Sequence, residues 1–382
     1  MSPKGDYPEP SFPELVQAAS FEMPSAEYAR RAIADTGAGY TYFRYGNPTV
    51  RRLEEKLAQL EGGEDAVCLS SGMAAIGALL ISAHLEGSRL ILASRLYGGT
   101  TSLVRELIVP LGATVHTFDP TSPDSLAGLL AKESRPALVL VESPANPTLE
   151  LADIAALANL CHQRGATLAV DSTFATPVLQ QPLGLGADYV VHSLTKFISG
   201  HGQVGGGAIV ARRRLTDPIR RRFVEVFGAT LDPFAAWLTL SGLITLPLRM
   251  ERACGTAKEV ASFLAGHPRV NKVNYPFLPD HPQHELARRQ MRWGGALIAF
   301  EVKGGKEAAE QVVEGLRLIR HRLTLGDAES SILHPASTSH YALSPEERQA
   351  LGISEGLLRL SVGVEPAGEL ISDLDQALSR LD

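Results

Sequence analysis

From Ala66 to His192 short apolar runs alternate with longer stretches in which apolar residues recur roughly every three to four positions, the spacing of one helix face. Ala66 to Leu69 reads as a strand and the small and apolar residues after Gly72 as a helix. The same rhythm gives strands at Leu90 to Ala93, Thr114 to Phe118, Ala137 to Glu142, Thr167 to Ser172 and Ala187 to His192. Helices are expected between them at Gly98 to Val109, Ser125 to Ala131 and Asp153 to Gln163. Strands apolar throughout and alternating with helices predict an α/β fold, a mostly parallel sheet with helices on both faces. Upstream, Asn47 and Pro48 make a helix start, Leu53, Leu57 and Leu60 line one face, and Gly62 and Gly63 stop it. After about Leu246 the rhythm changes. Two short strands, Ala296 to Val302 and Leu357 to Val362, stand among helices and irregular chain, as in a smaller α+β domain. The prolines at 3, 8, 10 and 13 disfavour a long helix, so the first stretch is expected to be an extended arm on another surface. The division is therefore an arm at 1–46, a large domain at 47–246 and a smaller domain at 247–382.

Polar residues interrupt this pattern mainly at strand ends. In Tyr189 to Gly207, YVVHSLTKFISGHGQVGGG, a β-branched run gives way to His192, Ser193, Thr195 and Lys196 and then to glycines. A buried hydroxyl left unpaired costs roughly 1–3 kcal/mol, so Ser193 and Thr195 call for a partner such as an anion. An ammonium beside them needs pairing or neutralisation, which makes Lys196 a candidate reactive amine; a surface lysine is the plainer alternative. Asp171 ends the preceding strand. In parallel sheets ligands sit at the carboxyl ends of strands, where Tyr97, Glu142, Asn146, Asp171 and the Ser193 to Lys196 run all fall. An amine that can form an imine, a carboxylate for a ring nitrogen and hydroxyls for a phosphate together suit pyridoxal phosphate.

Three other stretches bear on this. The turn Ser70, Ser71, Gly72, Met73 leaves amides open at a helix start, which suits a phosphate, although many such turns bind nothing. YTYFRYGNPT at 40–49 is either a packed aromatic loop or a recognition loop in which Arg44 and a tyrosine hydroxyl bind an anion. Arg359, within the apolar run LLRLSVG, needs an anionic partner, either a structural carboxylate or a substrate carboxylate. Composition narrows the class. A net charge of -6 offers no basic face for nucleic acid. No apolar run is long enough to cross a membrane. Cys68, Cys161 and Cys254, odd in number and set among apolar neighbours, read as reduced core residues of a cytoplasmic protein.

YTYFRYGNPT, SSGMAAI, LYGGT, VESPANPT, AVDSTFATP, HSLTKFISGH, HPASTSH and RLSVGVE together resemble the cystathionine γ-synthase-like, or Cys/Met metabolism, family of pyridoxal-phosphate enzymes with the aspartate-aminotransferase fold. The resemblance runs from about Tyr40 onward. It implies that Lys196 forms the imine with the cofactor and that Asp171 pairs with its ring nitrogen. Tyr97 would stack on the ring and serve as acid or base toward the leaving group. Gly72, Met73, Ser193 and Thr195 would bind the phosphate, completed by Tyr42 and Arg44 of a neighbouring subunit. Asn146 would lie near the ring hydroxyl. Arg359 would hold the substrate carboxylate, with Thr324 and Tyr42 also at the substrate. The family shares its site between subunits, which implies a homodimer or homotetramer. The activity implied is γ-elimination or γ-replacement on a four-carbon sulfur amino acid or homoserine ester.

Among members, methionine γ-lyases carry a cysteine at the position of Gly99, and cystathionine-handling members a glutamate before the serine of an SLG segment, where this chain has Leu323 and Thr324. HPASTSH and the HG of SGHGQVGGG look more like homoserine-ester sulfhydrylases, with methionine or cystathionine γ-lyase as the alternative. Ser193-Leu194-Thr195-Lys196 also fits S-x-x-K, but K-T-G and S-D-N are absent. His281, His284 and Glu285 read as a surface loop and not as metal ligands, since Pro279 and Pro282 break the helix that their spacing needs. A non-catalytic protein that keeps the cofactor is disfavoured by the complete set of lysine, aspartate, tyrosine and arginine.

Overall fold

The computed structural model describes residues 11–34, 38–133, 137–341 and 343–381. Seven strands form one sheet: β1 Asp65–Leu69, β2 Arg89–Ala93, β3 Val115–Phe118, β4 Ala137–Glu142, β5 Thr167–Asp171, β6 Tyr189–Ser193 and β7 Gly207–Ala211, in the order β1-β7-β6-β5-β4-β2-β3. The run from β3 to β6 across the sheet is parallel, while β7 runs antiparallel to both β1 and β6. This last strand was not expected, because GAIVA follows directly on a glycine-rich stretch and only its pairing marks it as a strand. Register aligns the strand ends. Glu142 pairs with Asp171 across β4 and β5, and Asp171 with Val191 across β5 and β6. The carboxyl ends of these three strands, and the residues that leave them, therefore meet at one edge.

A second, five-stranded sheet comprises β8 Val270–Asn274, β9 Leu297–Val302, β10 Arg320–His321, β11 Ser331–Leu333 and β12 Leu357–Ser361, in the order β10-β11-β12-β9-β8. Two of these strands are legible from apolar runs; β8 is half polar, and β10 and β11 are too short to show a period. The 34-residue helix Pro233–Gly266 joins the two parts. Its Leu240, Leu243, Leu246 and Met250 pack with Leu53, Leu57, Phe197 and Ile198 in one core. Its Ala257, Val260, Ala261 and Leu264 pack with Phe300, Leu358 and Leu360 of the second sheet in another. The helix is thus continuous across position 246/247, and both cores share it.

Local chemistry sets the first long helix, Pro48–Glu61: Asn47 accepts the amides of Thr49 and Val50 at 2.9 and 3.3 Å, and Gly62 ends it at φ 70°. Such a cap contributes about 1 kcal/mol. Residues 1–10, with their prolines, lie outside the described residues. The part of the arm that follows rests on this chain's own helices, since Trp237 Nε1 donates to Pro13 O at 2.9 Å and Asn47 Nδ2 to Val16 O at 2.8 Å. Cys68, Cys161 and Cys254 are free and buried. Among the described residues no helix is long and apolar enough to cross a membrane.

The first helix is tied to the edge of the large sheet through charge. Arg220 Nη1 donates to both carboxylate oxygens of Glu54 at 2.9 Å, and its Nη2 reaches Asp65 Oδ2 at 3.1 Å and Ala66 O at 2.6 Å. Arg51 Nη1 adds a 2.6 Å bond to Asp65 Oδ1. Burial pushes the Asp65 carboxyl up, but Arg220 and the bonds from Arg51 and Thr216 outweigh it, so its pKa lies below the ordinary value. Removing the Arg220 guanidinium would leave the buried Glu54 and Asp65 to share Arg51 alone, at a cost of about 3 kcal/mol. Arg220→Ala should therefore melt well below wild type at pH 7. Because the folded-state pKa of Asp65 is depressed, its contribution is present above the unfolded value of about 3.9 and is lost as pH falls through the folded one. Thermal melts should show the gap narrowing in acid; a gap independent of pH would mean that the pairing is not the source.

Candidate active site

Burial changes where β6 ends. Tyr189 to His192 are buried, whereas Ser193, Thr195 and Lys196 are partly accessible, as is Asp171 at the end of β5. The polar side chains of the expected site are thus those that open to a cleft. Lys196 Nζ donates to Thr324 Oγ1 at 3.3 Å, which brings together two residues 128 positions apart. Burial, then the neighbouring guanidinium of Arg359, hold the Lys196 amine below its ordinary pKa, with Asp327 opposing.

One strand away, Asp171 Oδ1 accepts Thr173 N at 3.0 Å and Thr173 Oγ1 at 2.6 Å, and that same hydroxyl accepts Ser193 N at 2.9 Å. Thr173 therefore fixes the carboxylate relative to the end of β6. Burial raises the pKa of Asp171, opposed by the Thr173 bonds and by His192. A cation placed before this carboxylate would restore its ionised form.

Glu142, not assigned a role from sequence, organises the opposite side. Its two oxygens accept Tyr97 N at 2.7 Å and Asn146 N at 2.8 Å, and its pKa is pushed up to about 8 by burial and by Asp171. Asn146 Oδ1 in turn accepts Arg359 Nη1 at 2.9 Å, while Arg359 Nη2 donates to Thr324 O at 3.3 Å. Arg359 is 3% exposed, and its Nε has no partner among the described residues. Burial lowers its pKa to about 10, with Glu142 opposing. A cation so placed has a free donor for an incoming anion.

The helix Gly72–Leu85 starts beside β6. Ser71 accepts Ala74 N at 3.0 Å, and the amides of Gly72 and Met73 stand in the open first turn. A Cβ on Gly72 would lie 2.9 Å from Ser193 Cβ, so only glycine lets this helix start come so near. Thr195 Oγ1 accepts Gly206 N at 3.3 Å. Met73 Sδ and the Tyr97 ring flank Gly99, where a Cβ would sit 3.1 Å and 2.5 Å from them respectively. Tyr97 itself is 44% exposed, at the mouth. Tyr42 and Arg44 stand apart from this group: Tyr42 packs on Phe43, and Arg44 lies over the Tyr45 ring and donates to the Glu225 carbonyl.

The remaining residues fit pyridoxal phosphate as a donor set. An amine lies beside the cleft, a carboxylate stands one strand away, and hydroxyls and a helix start offer hydrogen bonds to a phosphate, while a buried guanidinium keeps one donor free. Sequence reading identified these residue types at strand ends but missed the connectors. Thr173, two residues after Asp171, is an ordinary Asx-turn partner whose spacing could have signalled it. Glu142 closes an apolar strand and could have been singled out on the same ground as Asp171. Pattern and residue type do not show that Thr324 and Arg359 come within reach of Lys196; only the family resemblance placed them at one site.

A family profile described as Cys/Met metabolism PLP-dependent enzyme matches residues 6–379. An L-methionine gamma-lyase of Fusobacterium nucleatum subsp. polymorphum is 43% identical over 96% of this chain and 93% of its own. An O-succinylhomoserine sulfhydrylase of Pseudomonas aeruginosa is 42% identical over 100% of this chain and 93% of its own. Among solved structures, a cystathionine gamma synthase of Xanthomonas oryzae pv. oryzae superposes with a TM-score of 0.89 at 41% identity, covering 97% of this chain and 93% of that one. With the profile matching almost the whole length and these relatives well above 30% identity, the chain belongs to the Cys/Met metabolism family of PLP-dependent enzymes.

Proposed function

We propose that this enzyme carries out γ-replacement on an O-substituted homoserine, using pyridoxal phosphate and a sulfur nucleophile, within the γ-elimination and γ-replacement chemistry of its family. The observation that carries the reading is the pairing of a partly buried amine, Lys196, with a buried arginine, Arg359, that keeps one donor free across the same cleft. The cofactor, when bound, supplies an aldehyde and an electron-withdrawing ring that takes up the charge left by removal of the substrate's α-proton. Lys196, its pKa held down, reaches the free-base form more readily than a solvated lysine and moves protons at Cα and Cβ. Arg359, held by Asn146, binds the substrate carboxylate, Asn146 would lie near the ring hydroxyl, and Thr324 orients the Lys196 amine. Tyr97, at the mouth, gives a proton to the departing γ-substituent. Asp171, positioned by Thr173, would pair with the ring nitrogen. Ser193, Thr195 and the first-turn amides of Gly72 and Met73 would hold the phosphate, with Tyr42 and Arg44 from a neighbouring subunit's arm, residues 1–46.

Leu323 favours a small γ-substituent over cystathionine. It is 72% exposed next to Thr324 and offers no charge to a second amino-acid head group. Elimination from methionine is the second reading, favoured by the methionine gamma-lyases among the relatives. Gly99 counts against it, because methionine γ-lyases carry a cysteine at that position.

Lys196→Ala should lose the visible absorbance that wild type develops with pyridoxal phosphate, and an unchanged band would move the amine elsewhere. Wild type given an O-acyl homoserine and sulfide should form homocysteine; 2-oxobutanoate from methionine, without that product, would establish the second reading. Arg359→Met should raise KM by roughly 10- to 100-fold, the equivalent of one charged hydrogen bond, with a smaller loss in kcat. A fall confined to kcat would count against carboxylate binding. Mixed Arg44→Ala and Lys196→Ala subunits should recover about a quarter of wild-type activity if sites are shared across a two-fold interface, because half of the dimers each regain one intact site. No recovery in verified mixed dimers would mean that Arg44 serves its own chain.

A further inference from the structure

We infer that Arg249 is a positioning residue for Lys196: carried on the long helix Pro233–Gly266, its guanidinium grips the backbone that follows the lysine and so keeps the amine in its partly buried place. The inference rests on the reading of Lys196 as the reactive amine. Arg249 Nη1 donates to Phe197 O at 2.7 Å and Nη2 to Ile198 O at 3.3 Å, the carbonyls of the two residues directly after Lys196. On its own helix, Nη2 also donates to Gly242 O at 2.9 Å and Nε to Thr245 Oγ1 at 3.1 Å. One planar fork thus joins two segments at fixed spacing, which the single point charge of a lysine would not do. Among the described residues no carboxylate pairs with Arg249, and burial alone lowers its pKa. A half-buried cation whose acceptors are carbonyls is spent on holding backbone, not on neutralising a charge.

Both surfaces are shaped for the contact. A Cβ on Gly242 would lie 2.4 Å from Ser199 O, and one on Gly200, at φ 70°, would lie 2.0 Å from Arg249 Nη1. The turn closes on itself through Gly200 N to Lys196 O at 2.9 Å. On its other side, Ala328 N donates to Gly200 O at 2.9 Å, and a Cβ on Gly326 would lie 2.6 Å from Phe197 N and 3.1 Å from Lys196 Cα. Lys196 therefore leaves a turn pressed between the helix and the 324–328 segment. Asp327 and Arg359 are the charged groups that act on the amine. Arg249 is not among them, so it acts through position and not through its field.

The test reads the Lys196 amine directly. In the full-length chain without added cofactor, the pH dependence of Lys196 acetylation is followed by peptide mass spectrometry; in the holoenzyme, the visible band is titrated without substrate. Arg249→Met should raise the acetylation midpoint by about one pH unit as water reaches the amine, and should move the absorbance midpoint as well. Arg249→Lys should restore part of the difference, and Thr245→Val, which removes only the Nε acceptor, should match wild type. A folded Arg249→Met that melts lower but leaves both midpoints unchanged would make the arginine merely structural and overturn the inference. Should Arg249→Met fail to fold, Arg249→Lys and Gly200→Ala, which displaces the guanidinium, must show the rise, and its absence in both overturns the inference too. If wild-type Lys196 titrated as an ordinary lysine, the reading of Lys196 itself would fall, an outcome distinct from a depressed midpoint that the variants leave in place.

Discussion

Charged groups held at one end of an apolar parallel sheet must be paired, hydrogen-bonded or left facing a ligand, and the site is arranged around that constraint. Two carboxylates, Glu142 and Asp171, lie on neighbouring strands in register. Burial raises the pKa of both, and the Asp171 carboxylate raises that of Glu142 further. The structure offsets this with Thr173 on one carboxylate and the amides of Tyr97 and Asn146 on the other. The cations answer from other parts of the fold, Lys196 from the adjoining strand end and Arg359 from the second sheet.

This division of labour explains why the enzyme needs two sheets. The parallel one lines up Glu142 and Asp171 by register, and Thr173 ties Asp171 to Ser193 at the end of the next strand. It has no strand that could bring a guanidinium over the same edge, and β12 supplies one. Arg359 lies between Leu358 and Leu360, whose side chains enter the second core, so its own side chain takes the opposite face of that strand. It reaches Asn146 in the large domain and Thr324 beside Lys196. Arg359, Lys196 and Asp171 thus come together from three separate elements of the chain.

The long helix Pro233–Gly266 holds these elements in one frame. It contributes to the core under the Lys196 turn and to the core of the second sheet, so a displacement between the two would disturb both. Arg249 sits near its middle. The arm is less self-contained: its Tyr42 and Tyr45 are exposed at 41% and 38%, around Arg44, which lies over the Tyr45 ring and donates to the Tyr45 hydroxyl at 3.3 Å and to the Glu225 carbonyl.

Sequence alone determined what periodicity and residue type encode. Uniformly apolar strands between helices specify a parallel sheet, and the polar residues that interrupt them at strand ends mark Lys196, Asp171, Ser193 and Asn146 as candidates. Arg359 was legible as a cation in need of an anion, because an apolar strand cannot otherwise contain it. What the sequence could not contain was distance. Strands β8, β10 and β11 exist by pairing and not by pattern, and β7 declares itself only between β1 and β6. The 34-residue helix crosses the point where the rhythm changes, since its burial switches from one core to another without any break in the backbone. Thr324 beside Lys196, Asn146 beside Arg359 and Arg249 behind the lysine turn are contacts between residues far apart in the chain, decided by how the two sheets and that helix pack.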